Sequence, residues 1–86
     1  MLPDVVAVKP VGGRRLWIRF DDGVEGEVDI AGLFPFDGVF EALRDPQVFA
    51  SVRLNSELGT VVWPNGADID PVVLYEHLRE TRQSTD

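Results

Sequence analysis

Apolar and polar residues alternate with a period of two through roughly the first thirty positions, the pattern of strands half-buried on one face. Val5, Val6, Ala7 and Val8 are β-formers, and Gly12-Gly13 is a turn signal. Leu16, Ile18 and Phe20 then alternate with Arg15, Trp17 and Arg19. After Asp21-Asp22-Gly23, the residues Val24, Gly26, Val28 and Ile30 alternate with Glu25, Glu27 and Asp29. The segment is predicted to be a three-stranded antiparallel meander.

Register follows from the requirement that directly opposed residues share a face. A two-residue Asp22-Gly23 loop would set Ile18 against Glu27 and mix the faces. A three-residue loop, Asp21-Asp22-Gly23, sets Phe20 against Val24, Ile18 against Gly26 and Leu16 against Val28. It also places Arg19 beside Glu25 and Arg15 beside Asp29 on the wet face, with Gly23 in a left-handed conformation. For the first hairpin, a Gly12-Gly13-Arg14 loop pairs Val8 with Ile18 and Val6 with Phe20.

Beyond Ile30 the alternation stops. Leu33-Phe34-Pro35-Phe36 is an apolar connection whose proline cannot donate to a central ladder, so a covered loop is expected. Asp37 or Gly38 opens a short helix carrying Val39, Phe40 and Leu43 on one side. Asp45-Pro46 reads as an N-cap with proline at the first helical position, starting a single turn through Phe49. Val52 and Leu54 mark a fourth strand and Thr60 to Trp63 a fifth, able to pair across residues 56–59. The last helix has Asp70 as N-cap, Pro71 at its first position and an Ile69/Leu74 staple. Leu74, Tyr75 and Leu78 form its apolar stripe, and Arg79 and Arg82 complement its dipole. The fold class is therefore α+β: a bent antiparallel sheet of roughly five strands with a short helical segment and a packed C-terminal helix. One domain is expected over residues 1–82, with residues 83–86 a frayed polar tail.

Composition narrows the classes. A chain of 86 residues buries only roughly 60–65% of its unfolded surface, so its core is modest. Absence of cysteine excludes disulfides and thiolate metal sites. Neither a signal peptide nor an apolar stretch approaching the roughly 20 residues of a membrane span is visible, so no membrane partner and a cytoplasmic location are expected. Eight basic against fifteen acidic residues give a net charge of −7. Phosphate backbones repel such a surface, and direct nucleic-acid binding is not expected.

Candidate chemistry is sparse. Asp68 and Asp70, with Asn65 before them, could hold a divalent cation through hard oxygens, yet turn and cap chemistry already accounts for Asn65, Gly66 and Asp70. His77, the single histidine, sits mid-helix without a nucleophile in a recognisable setting. Glu25, Glu27 and Asp29 line one strand face opposite arginines, as a solvated sheet surface would. The glycines lack any phosphate-cradling spacing. No catalytic residue, metal or cofactor is assigned on these grounds. Trp17, placed by the register on the polar face next to Glu27 and near Lys9, is the most suggestive contact residue, unless the C-terminal helix or the Leu33–Phe36 loop covers it.

Three stretches together resemble a bacterial domain-of-unknown-function family, number 2442. They are Leu16-Trp17-Ile18-Arg19-Phe20-Asp21-Asp22-Gly23 with Val28-Asp29-Ile30, Gly38-Val39-Phe40 with Leu43, Asp45 and Phe49, and Gly59 through Pro71 followed by Leu74-Tyr75. The resemblance implies a small α+β domain on a strongly bent sheet, without established catalytic residues. It also implies a place in toxin–antitoxin pairs, since similar proteins are often encoded beside another small protein. Some similar proteins precede a helix-turn-helix segment; this chain ends soon after Leu78, so a transcriptional role is not expected.

The expected function is a non-enzymatic protein-interaction module, antitoxin-like, with a small basic protein as partner and Trp17, Trp63, Asn65, Asp68 and Tyr75 as its possible surface. The alternatives are a metal-dependent enzyme or small-ligand binder using Asp68 and Asp70, and a self-associating domain that forms a homodimer through the Val5–Val8 or Thr60–Trp63 edge. Asp70→Ala distinguishes the cap from the catalyst. A lost cap lowers stability by about 1 kcal/mol in urea denaturation, whereas a metal ligand would lose metal binding with stability unchanged.

Overall fold

The alternating segments form the predicted meander: β1 (Val5–Gly12), β2 (Arg15–Phe20) and β3 (Glu25–Asp29), antiparallel in the order β1-β2-β3. The computed structural model describes residues 3–34 and 37–84; the side chains of Val39 and of residues 81–84 lie outside the description. The β2–β3 register is the expected one, with Leu16 opposite Val28, Ile18 opposite Gly26 and Arg19 opposite Glu25. Phe20 N–H donates to the Val24 carbonyl at 2.8 Å, and Gly23 has φ +94°, a value that side-chain-bearing residues rarely adopt.

The first hairpin differs. Val8 opposes Ile18 as expected, but Phe20 opposes Val5 rather than Val6, because the register shifts between Val5 and Ala7. The extra residue turns Val5 into the core at 2% exposure and leaves Val6 46% exposed. A contact outside the hairpin, Val5 N–H to the Gly59 carbonyl at 3.0 Å, accompanies this choice, and Asp21 N–H to the Asp4 carbonyl at 2.9 Å continues the pairing beyond Phe20. A second shift between Pro10 and Gly12 brings Gly12 opposite Arg15, so the turn is Gly13-Arg14 rather than three residues. Proline at position 10 has no N–H to extend the ladder there.

Ile30 does not end β3 but begins α1 (Ile30–Leu33), where the Asp29 carboxylate accepts the Gly32 N–H at 3.3 Å and Phe34 N–H returns to the Ile30 carbonyl. The expected Leu33–Phe36 covered loop is thus partly a helical turn, and Pro35 and Phe36 lie outside the described residues. A 3-10 helix follows at Gly38–Arg44 with Leu43 buried, then α2 (Pro46–Ala50) with the Asp45 carboxylate accepting the Gln47 N–H at 2.9 Å. β4 (Arg53–Asn55) and β5 (Thr60–Val62) pair as a separate two-stranded sheet, so the five strands divide into two antiparallel sheets. The outer edge of β5 is occupied by its own chain: Val62 bridges Asp68 and Ile69 N–H reaches the Val61 carbonyl. Thr60–Trp63 therefore does not offer the pairing edge proposed from sequence.

α3 (Pro71–Ser84) lies across the inner face of the meander. Its helix is described through Ser84, and Arg82 falls among the undescribed side chains. Leu74 and Leu78 join Leu16, Ile18, Phe20, Val28, Ile30, Leu43, Phe49, Val61, Trp63 and Ile69 in one buried cluster. Among the described residues, no helix is long and apolar enough to cross a membrane.

The close approach of α3 to β3 depends on Gly26, where an added Cβ would stand 2.9 Å from Leu78 Cδ2. Gly26→Val is expected to cost about 1–3 kcal/mol by overpacking, and Gly26→Ala less, because the tip of Leu78 can yield. Equal, negligible losses in urea melts would show that α3 is not seated on the β3 backbone.

Candidate functional site

The segment from Trp63 to Pro71 carries Trp63, Asn65, Asp68 and Asp70, all singled out by sequence, and its hydrogen bonds show what most of them do. Trp63 is 2% exposed; its indole N–H donates to the Phe49 carbonyl at 3.0 Å and its ring lies 5.9 Å from that of Phe49. Trp63 is thus a core anchor joining α2 to β5, and it presents no contact surface, contrary to the expectation. Gly66 N–H closes a turn onto the Trp63 carbonyl at 3.0 Å, and the Asn65 side chain accepts the Ala67 N–H at 3.1 Å. Thr60, buried at 4% exposure, donates its hydroxyl to the Ile69 carbonyl at 2.6 Å. The Asp70 carboxylate accepts the Val72 N–H at 2.9 Å, which is the predicted cap.

Asp68 and Asp70 do share a depression of 340 Å³, together with Leu58, Thr60, Ile69 and Pro71. Two carboxylates fall short of the six or so oxygens that a hard cation takes. Among the described residues, no group of three or more His, Cys, Asp or Glu side chains could hold a metal ion. What the depression can offer chemically is two acids beside an exposed leucine: attraction for a cationic group rather than a bond-making constellation.

Tyr75 and Trp17 stand on opposite faces of the meander. Trp17, half-buried, lies on the outer face between Lys9 and Glu27, as the register predicted. A neighbouring pair on that face, Arg15 and Glu27, approaches to 3.4 Å with both side chains about half exposed, a geometry that contributes little. Tyr75 packs edge-to-face on Phe20, centroids 5.0 Å apart, with the Arg79 guanidinium 5.8 Å from its ring. Its hydroxyl donates to the Asp22 carboxylate at 2.6 Å, tying α3 to the β2–β3 turn across 53 positions of sequence. Sequence reasoning assigned Asp22 only to a turn, and no local signal marks it as a tertiary partner. His77 is half-buried within α3. The five candidate contact residues therefore do not form one surface.

Residues 5–80 match the model of the family described as "Protein of unknown function (DUF2442)". The chain belongs to this family. No curated protein and no solved structure matches it.

The Tyr75–Asp22 hydrogen bond shifts both groups. It is the main cause holding the Asp22 carboxyl below its ordinary pKa, assisted by the Val24 N–H, and the main cause raising the Tyr75 phenol above its own. Stability from Asp22 is therefore present above the unfolded carboxylate pKa and lost as pH falls through the lower, folded value. Stability from Tyr75 is present below the unfolded phenol pKa and lost as pH rises through the higher, folded value. In spectrophotometric titration the single tyrosine should ionise above the free phenol and return toward it in Asp22→Asn, with the acid limb of the stability curve flattened. A tyrosine titrating alike in both proteins contradicts the link.

Proposed function

We propose that the protein is a non-enzymatic interaction module that binds another small, basic protein, in the manner of the antitoxin-like half of a toxin–antitoxin pair. The observation that carries this reading is where the acid lies. Every described aspartate and glutamate side chain is exposed, and acidic residues outnumber basic ones fifteen to eight. Catalytic carboxylates are commonly set in clefts where burial and like charge tune their affinity for protons. Here Asp22, Asp29, Asp45 and Asp70 instead accept backbone N–H groups at turns and helix starts. The remaining field favours a basic partner, speeding encounter and excluding acidic competitors.

A second reading, a small-ligand or metal site at Asp68 and Asp70, is favoured by the depression that both line. Isothermal titration with divalent cations separates the two: saturable binding abolished by Asp68→Asn with Asp70→Ser, which keeps a capping oxygen, supports the second.

For the module, the test is co-expression with the products of the genes adjacent to its own. Co-purification at low salt that weakens steeply as salt rises is expected. Clean separation from them at low salt, with each folded, counts against the proposal.

A further inference from the structure

The meander has two edges, and they are not alike. β1 is interrupted by two register shifts, carries Lys9 and Pro10, and already gives its Val5 N–H to the Gly59 carbonyl. Bulges, lysine and proline are the features by which sheets keep an edge from pairing. β3 has none of them, and its register with β2 is unbroken from Glu25 to Asp29. Phe20 N–H reaches the Val24 carbonyl and Ile30 N–H the Arg14 carbonyl, which fixes the parity of that ladder. The N–H and C=O groups of Gly26 and Val28 therefore face β2, whereas those of Glu25 and Glu27, with the Asp29 N–H, point away from it. Among the described residues, no hydrogen bond takes these outward groups. The side chains of the same three acids are exposed and share the outer face, two positions apart.

We propose that an extended, basic segment of a protein partner adds beside β3 as a further antiparallel strand of the meander. Its main chain exchanges hydrogen bonds with Glu25 and Glu27. Its lysines or arginines, two residues apart, stand next to Glu25, Glu27 and Asp29. On the other side these acids already have Arg19 opposite Glu25, Arg15 opposite Asp29, and an Arg15–Glu27 approach of 3.4 Å. A carboxylate has acceptor sites on two oxygens, so an arginine on one side leaves capacity for a cation on the other. Opposite charges on adjacent strands stabilise the pairing and like charges oppose it. A second copy of β3, or any acidic strand, would bring acid against acid, so the edge selects a basic occupant. In such strand addition the main-chain bonds supply affinity and the alternate side chains specificity. The inference rests on the reading of the protein as a module for a basic partner, and it names the element that holds that partner.

The probe is a capped seven-residue peptide in which three lysines alternate with threonines, followed by amide exchange and chemical shifts of the full chain. In the free protein the Glu25, Glu27 and Asp29 amides should exchange about tenfold or more faster than those of Gly26 and Val28. Saturable shifts of the β3 amides, with slowed exchange at Glu25 and Glu27, are expected at millimolar peptide. Methylating the lysine amide nitrogens, which face β3 in an antiparallel strand, should abolish binding, and methylating the threonine amides should not. Glu25→Gln with Glu27→Gln should weaken the peptide by about fivefold, and glutamate in place of its lysines should leave no binding. The proposal is overturned by protected Glu25 and Glu27 amides in the free protein, by shifts that map elsewhere, or by equal effects of the two methylation patterns. Unchanged affinity in the double variant, with its amide spectrum intact, overturns it equally. A gene neighbour that co-purifies while the peptide leaves β3 unmoved overturns this site and not the module. A peptide seated on β3 without any co-purifying neighbour supports the site and counts against the module.

Discussion

The inner face of the meander is apolar along its whole length, and with no cysteine to form a disulfide the fold depends on covering it with α3. Leu16, Ile18, Phe20 and Val28 are fully buried there in one cluster with Leu74 and Leu78 of α3. The approach is close enough that position 26, directly under Leu78, carries no side chain. At the N-terminal end of the helix, Pro71 and the Asp70 cap set the start, and Ile69 is drawn into the same core. At mid-helix the Tyr75 hydroxyl clasps the β2–β3 turn through Asp22. The β4–β5 hairpin is secured from its other side, by Val5 on the Gly59 carbonyl and by Trp63 on the Phe49 carbonyl.

This arrangement divides the polar residues into two kinds. One kind is structural: the carboxylates and amides at turns and helix starts satisfy backbone N–H groups that would otherwise be left unpaired. The other forms the hydrated surface, where exposed acids greatly outnumber bases. Among the described residues, neither kind gathers three or more His, Cys, Asp or Glu side chains that could hold a metal ion.

Local pattern determined the strands, their faces and the caps. The two-residue period of β2 and β3, the Asp-Asp-Gly turn, the proline after Asp45 and the proline after Asp70 each act within a few residues, and each was legible for that reason. The β1 register was not, because both Val5 and Val6 satisfy the alternation; the hydrogen bond to Gly59, from the distant hairpin, decides which valine turns inward. Trp63 shows the same limit. The turn residues Pro64-Asn65-Gly66 that follow it suggest a surface, yet its indole finds the Phe49 carbonyl and is buried.

The sequence by itself determined an acidic, cysteine-free α+β chain, the identity of its elements and the atoms that begin its helices, since these follow from short-range sterics and hydrogen bonding. Only the tertiary structure decided which valine and which tryptophan are buried, and that the five strands part into two sheets. Those outcomes depend on contacts between segments far apart in the chain, whose energies are set by how surfaces fit rather than by the residues beside them.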